Sequence, residues 1–306
     1  MNYNQLPFHP YVLNLSLGFD PMSKFEYDEL EFNSTVFPGG EPHFYFKDIP
    51  EDSRDLVITQ RYNTIDDLML IVIANDAARR MGFTDIELVL PYFPGARQDR
   101  VCNPGEALTL KVFADLINTC NFSKVYIYSP HSDVTPAVIN NCELINLDAE
   151  FLFNIIISNN YQYHKYDKEI NIVCPDAGAA KRVSKLAKSV SERFLGLKVN
   201  LVRCEKVRDV TTGELLEFFV QADDLGSYPT IICDDIVAYG GTFKGLGEVL
   251  RSKNCGPLAL FTSHADCLDG INNMTSYFDH VYTSNSKQNW SELSNASNFT
   301  CFGITL

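Results

Sequence analysis

The chain has 306 residues, 45% of them hydrophobic and 21% charged, and a formal net charge of -14. The length suits one large domain or two ordinary ones, and the composition supports a full apolar core. So acidic a chain is a poor general binder of nucleic acid or anionic membrane, and neither is expected as a partner; polyanions bind only where basic residues or metal ions collect.

Short apolar runs alternate with stretches of helical period. "DLVIT" (55–59) reads as a strand, and "IDDLMLIVIANDAARRMG" (65–82) as a helix closed by Gly82. "DIELVLPYF" is a strand, "GEALTLKVFADLINTC" a helix and "KVYIYSP" a strand. The later half repeats the rhythm with "INIVCPD", "GAAKRVSKLAKSVSERF" and "KVNLVRC". An irregular segment over 203–215 is expected next, then "ELLEFFVQ", "TIICDD", "GTFKGLGEVLRSKN" and "PLALFTSHA". "FTCFGITL" closes the chain as a candidate strand. Strands alternating with helices imply parallel sheets covered on both faces. Two such series predict two α/β domains, 1–153 and 154–306, joined near 148–160, with "SNNYQYHKYDKE" (158–169) as an exposed connector.

Nine cysteines, an odd number with no CxxC pair, argue for reduced and mostly buried thiols in a cytoplasmic protein. The first fifteen residues have no basic segment followed by an apolar stretch, so no signal peptide is expected. The longest strongly apolar run, "LMLIVIA", is far too short to span a bilayer.

In open parallel sheets ligands sit at the carboxyl ends of strands. Five polar clusters fall there: "PYFPGARQDR", "SPHSD", "CPDAGAAKR", "CDDIVAYGGT" and "TSHA". In the fourth, Asp234 and Asp235 end an apolar run, and their carboxylates suit vicinal hydroxyls or Mg2+. Gly240 and Gly241 then open a helix, where backbone N–H groups close on an anion. Thr242 offers a hydroxyl to that anion or caps the helix. A diol at one end and a phosphate at the other describe ribose 5-phosphate.

"IICDDIVAYGGT" resembles the phosphoribosyl diphosphate motif. "LPYFPGARQDR", "VCPDAGAAKRVSKLA", the Lys-x-Arg of "CEKVRD" and "VFPGGE" are similar, in order, to segments of the ribose-phosphate diphosphokinases, over roughly residues 35 to 265. The resemblance implies two phosphoribosyltransferase-like domains, each a mainly parallel sheet flanked by helices, the first binding ATP and the second ribose phosphate. It implies Mg2+-dependent transfer of the ATP diphosphoryl group to the anomeric hydroxyl of ribose 5-phosphate, releasing AMP. It assigns Arg97, Gln98 and Asp99 to ATP, with Phe37 and Glu41 on adenine across a subunit boundary, hence a homo-oligomer, dimer or hexamer. It assigns His131 and Asp176 to the metal-bound triphosphate, and Lys206 and Arg208 to a closing cationic loop that stabilises transition-state charge. Asp234, Asp235 and 238–242 take the ribose phosphate.

The chain departs from the family pattern in three places. Ser129-Pro130-His131 stands where the family has Asp-Leu-His, with Asp133 a candidate replacement acid; Gly39 replaces an acidic residue; and Ala238-Tyr239 replace Asp-Thr in the phosphate loop. Tyr239 either points outward, leaving the amides to hold a monoester, or stacks on a group beyond the 5-phosphate. ADP-ribose carries such a group and a free anomeric hydroxyl, so an ADP-ribose diphosphokinase is the alternative activity. A non-catalytic regulatory homologue is the third reading.

Overall fold

The structure is a computed structural model that describes residues 9–47, 50, 55–159, 168–208 and 215–306, with side chains left undescribed at 207, 208 and 215–217. The chain divides into two compact units. One comprises Met1–Ile145, Ser286–Gln288 and Gly303–Leu306, the other Asn146–Asn285 and Asn289–Phe302.

In the first unit the strands are β1 (Tyr11–Asn14), β2 (Asp28–Glu29), β3 (Phe32–Val36), β4 (Pro42–Phe46) and β5 (Leu56–Thr59). Then come α1 (Ile65–Arg80), β6 (Ile86–Val89), α2 (Thr109–Asn118), β7 (Lys124–Tyr128), α3 (Thr135–Val138) and β8 (Cys142–Ile145). Six strands form a parallel sheet in the order β2-β1-β5-β6-β7-β8, and β3 and β4 make a separate antiparallel hairpin. The expected helix 65–82 starts where Asp67 accepts the backbone N–H groups of Asn63 and Thr64, at 2.7 and 2.8 Å. Leu68, Ile71, Ala74 and Ala78 recur at helical spacing and bury one stripe of α1 against Leu13, Ile58, Ile86 and Leu88.

The second unit holds α4 (Asp148–Ser158), β9 (Glu169–Cys174), α5 (Ala180–Arg193), β10 (Lys198–Arg208), β11 (Leu215–Val220) and β12 (Thr230–Val237). It continues with α6 (Gly241–Ser252), β13 (Leu258–Ala265), α7 (Leu268–Thr275), β14 (His280–Ser284), α8 (Trp290–Leu293) and β15 (Phe299–Phe302). Its seven-stranded sheet runs β11-β10-β9-β12-β13-β14-β15, parallel except for β11. Alternate strand residues, Val173, Ile232, Leu258 and Leu260, pack with α6, α7 and α8, while Ile172, Ile231, Cys233 and Phe261 between them are buried on the opposite face. There α5 lies on β9 and β10 and meets α4.

The α/β class and the parallel sheets agree with the sequence reading. The first compact unit runs to Ile145 and the second begins at Asn146, and 148–158 form a helix. Phe151, Leu152, Ile155 and Ile156 give α4 an apolar stripe, and Phe151 stacks on Phe302 of β15 with ring centroids 4.6 Å apart. Most of the expected connector, 160–167, lies outside the described residues. The expected irregular segment is strand as far as Arg208, since β10 pairs with both β9 and β11. All nine cysteines are free thiols, four buried, four half-buried and Cys102 exposed. No helix among the described residues is long and apolar enough to cross a membrane.

Ile71 has no exposed surface. Ile71→Ala is expected to cost about 2–5 kcal/mol through lost burial and a residual cavity, seen by calorimetry as a lower Tm.

Candidate functional site

In the first unit the candidate residues sit on loops leaving β6 and β7. The loop after β6 is anchored by Phe93 and Ala96, both within the core. Gly95, at φ +73°, lets the backbone run against α2: a Cβ there would stand 3.0 Å from the Leu110 nitrogen. Beyond this anchor Arg97 and Gln98 are exposed and Asp99 is half-buried.

Asp99 accepts hydrogen bonds from the Ser132 hydroxyl at 2.6 Å and from Arg100 Nε at 2.8 Å. Ser132 Oγ also accepts the Val134 N–H at 3.1 Å, so one hydroxyl ties the two loops together. Arg100 and Ser132 hold the Asp99 carboxyl below its ordinary range, with a smaller contribution from neighbouring His131. His131 is itself exposed, two residues after Ser129, which takes φ +41°. The structure thus brings Asp99 and His131 together. Asp133, the replacement acid expected from sequence, is exposed, and the carboxylate in reach of Ser132 is Asp99.

Phe37 and Glu41 close the β3–β4 hairpin. The Phe37 N–H donates to the Glu41 carbonyl at 2.9 Å, and both side chains are exposed. Phe37 is 51% exposed, so it is not a core residue.

In the second unit β9 ends at Cys174 and Asp176 follows. Its Oδ1 accepts the Ala179 N–H at 3.1 Å, satisfying a donor in the first turn before α5, and its Oδ2 accepts from Lys206 Nζ at 2.5 Å. Burial pushes this carboxyl up, but the Lys206 hydrogen bond and charge prevail and the net shift is downward. Lys206 therefore lies on β10 in contact with Asp176. The Arg208 side chain lies outside the described residues.

Asp234 and Asp235 lie within β12, three residues or fewer from its end, and their carboxyls are close enough to interact. Alternation sends Asp235 to the α5 side, where Arg182 NH1 stands 3.7 Å from its Oδ1. Asp235 is 5% exposed. Burial and the adjacent Asp235 carboxylate push the Asp234 carboxyl well up, and Asp176 adds to the effect. Three carboxylates thus gather with Lys206 and Arg182.

After β12 the chain turns through Ala238 and Tyr239 into Gly240, which takes φ +81° as the cap of α6. A side chain at 240 is excluded twice, by that backbone and by Met274, whose Cε would lie 2.2 Å from a Cβ. Gly241 differs: nothing lies within 4 Å of where its Cβ would be, so the first turn of α6 is open. Thr242 is in that turn and half-buried; the cap is Gly240, with no side-chain cap, so the capping role expected of Thr242 is not taken. Tyr239 is 71% exposed, its ring turned outward.

Residues 22–120 match the family described as the N-terminal domain of ribose phosphate pyrophosphokinase. A ribose-phosphate pyrophosphokinase of Campylobacter jejuni is 29% identical over 204 residues, 66% of this chain and 60% of that protein. One from Pyrococcus furiosus is 27% identical over 254 residues, 82% of this chain and 84% of the other. The chain is similar to the ribose-phosphate pyrophosphokinases over most of its length. Its fold is also that of the phosphoribosylpyrophosphate synthetase from Mycobacterium smegmatis, with a TM-score of 0.79 at 17% identity over 97% of this chain and 95% of that one. Matches to the Campylobacter jejuni and Mycoplasma pneumoniae pyrophosphokinases span 60% and 66% of those proteins' length. The family match covers the Phe37–Glu41 hairpin tip and the loop carrying Arg97, Gln98 and Asp99.

Ser132 and Arg182 fall within the clusters "SPHSD" and "CPDAGAAKR", but sequence reasoning does not single them out there, because the partner of each lies more than thirty residues away in the chain. The crowded charge has a measurable consequence. Because the Asp234 carboxyl is raised in the fold, its ionisation opposes folding once pH passes the unfolded value of about 3.9. Asp234→Asn is expected to raise Tm by about 2–4 °C near pH 8. The gap should close toward pH 4, as a pH series of thermal melts would record.

Proposed function

We propose that this protein transfers the β,γ-diphosphoryl group of ATP to the anomeric hydroxyl of ribose 5-phosphate, with Mg2+, giving phosphoribosyl diphosphate and AMP. The observation that carries this reading is the continuity of β12 and α6: half-buried Asp234 and buried Asp235 lead within a few residues to the left-handed Gly240 and the open Gly241. Carboxylates accept from the sugar hydroxyls, and the N–H groups of the turn and the helix dipole receive the 5-phosphate. The crowding at Asp234 supports the same assignment, since two hydroxyl donors would relieve it.

The donor assignments fall in the first unit and the acceptor assignments in the second. The exposed guanidinium of Arg97 suits phosphate oxygens, with Gln98 beside it. The Phe37–Glu41 hairpin tip is proposed to serve adenine across a subunit boundary in a homo-oligomer. In the transfer the anomeric oxygen bonds to the β-phosphorus. The bond from that phosphorus to the oxygen bridging it to the α-phosphorus breaks, AMP leaves, and the hydroxyl proton passes to solvent. Lys206 and Arg208 are the cations proposed to follow the charge that develops on the transferred oxygens.

Among the described residues no group of three or more His, Cys, Asp or Glu side chains is placed to hold a metal ion. That fits Mg2+, which keeps several waters and takes one or two carboxylates plus substrate phosphates rather than a protein cage. Asp176 is the carboxylate of suitable chemistry in the second unit, and His131 the assigned residue in the first. When bound, Mg2+ supplies charge neutralisation at the phosphate oxygens. Asp176 presents its carboxylate only as Lys206 shares or leaves it, because the two are now hydrogen-bonded. Free thiols and diffusible substrates suit the cytoplasm.

Incubation with ATP, Mg2+ and ribose 5-phosphate should release AMP and form phosphoribosyl diphosphate, resolved by mass. Lys206→Ala should lower kcat by about 10²–10³ with little change in substrate KM. ATP binding without AMP release from any sugar phosphate would instead mark a non-catalytic homologue.

A second reading keeps the transfer and changes the acceptor to ADP-ribose, and the exposed Tyr239 ring favours it. The ring stands on the turn assigned to the 5-phosphate, with 71% of its surface available to stack on a group beyond that phosphate. Tyr239→Thr should then cost ADP-ribose about two- to tenfold in kcat/KM and leave ribose 5-phosphate unchanged, in parallel assays of the two acceptors.

A further inference from the structure

α7 has no part in the chemistry described so far, yet one of its faces is occupied by the turn between β12 and α6. Residues 270, 273 and 274 stand at i, i+3 and i+4 and so share a face. Each meets that turn. A Cβ on Gly270 would lie 1.7 Å from the carbonyl oxygen of Ala238, so the loop backbone rests on the helix with no room for a methyl group. Asn273 Nδ2 donates to the Tyr239 carbonyl at 3.3 Å. Met274 fills the space beside Gly240. The segment leading into α7 adds two contacts: the Asp266 N–H donates to the Val237 carbonyl at 2.8 Å, and the Cys267 thiol lies 3.6 Å from the Ala238 carbonyl.

The carbonyls of three successive residues, Val237, Ala238 and Tyr239, are therefore engaged by α7 and its lead-in. In a planar trans peptide the N–H points away from the C=O. Holding the carbonyls of Ala238 and Tyr239 on the helix thus turns the N–H groups of Tyr239 and Gly240 the opposite way. Left to itself, a turn with a left-handed glycine samples several such orientations. The contact with Gly270 involves backbone and not a flexible side-chain end, so neither side can yield cheaply.

We propose that α7 is the positioning element of the anion-binding turn, with Gly270 and Asn273 setting the direction in which the Tyr239 and Gly240 N–H groups face the acceptor's phosphate. This rests on the reading of that turn as the phosphate site. Neither residue touches substrate; both act through the carbonyls they hold.

The test uses the full chain with ATP, Mg2+ and ribose 5-phosphate, and inorganic phosphate as a competing probe. Asn273→Ala should raise the acceptor KM and the phosphate inhibition constant together by about fivefold, the worth of one hydrogen bond. Gly270→Ala should raise both by more than about tenfold. The ATP KM should stay unchanged in both, and Asn272→Ala, an exposed neighbour, should match wild type. Thermal melts report whether Gly270→Ala folds; if it does not, Asn273→Ala decides alone. An active wild type with an unaltered acceptor KM in Asn273→Ala overturns the proposal. So does an equal rise in ATP KM, which marks general damage. A wild type on which inorganic phosphate and ribose 5-phosphate have no effect overturns the phosphate reading itself.

Discussion

Carboxylates crowd the carboxyl ends of β9 and β12. Asp176, Asp234 and Asp235 bring three negative charges to a place where burial weakens solvent screening, and Lys206 and Arg182 bring two positive ones. The distribution is set by backbone geometry. Asp235 reaches Arg182 of α5, while its carboxyl still stands close enough to that of Asp234 to raise it. Asp176, beyond the end of β9, meets Lys206 on the adjacent strand β10. Asp234 remains among carboxylates, and its raised proton affinity is the local cost of that arrangement. A sugar with two neighbouring hydroxyls, or a cation, is the kind of ligand that lowers this cost, so the strain and the chemistry have the same origin.

The first unit manages its charge differently. Asp99 is fixed by Ser132 and Arg100 and held ionised, beside an exposed His131. Where the resemblance leads to the expectation of an acid, two residues before that histidine, this chain has Ser129. Ser132 brings a carboxylate to the neighbourhood by reaching to another loop, and does so with a hydroxyl that Val134 also holds in place. An acid expected at one position in the sequence is thus supplied by a contact in space.

Strand and helix order was legible because it rests on period. The parallel core strands are continuous apolar runs, and α1, α5 and α6 carry buried residues at helical spacing. Where the sequence misled, the cause is local composition. "DAEFLFNIIIS" leads into a polar stretch and reads as a joint, though its apolar stripe makes it a core helix. "LDGINNMT" contains glycine, asparagine and threonine, all weak helix formers, so α7 escaped notice. "CEKVR" looks like a solvated loop because it is charged, yet edge-side pairing with β11 keeps it in strand. The site was legible as a set of residue types at strand ends. Which carboxylate meets which cation depends on the face each residue occupies and on contacts distant in sequence.

The turn after β12 separates two requirements that a sequence motif joins. The anion binding proposed there would depend on backbone: glycine at 240 for its dihedral angle, glycine at 241 for open space, and α7 beneath to hold the carbonyls. None of these depends on the side chain at 239, which projects away from the protein. A tyrosine at this position therefore leaves the backbone of the turn unobstructed. On this reading the diphosphoryl transfer is a property of the fold and its fixed charges. The extent of the acceptor past its 5-phosphate is set by a single exposed ring, and the same constraint that fixes the loop leaves that ring free to vary.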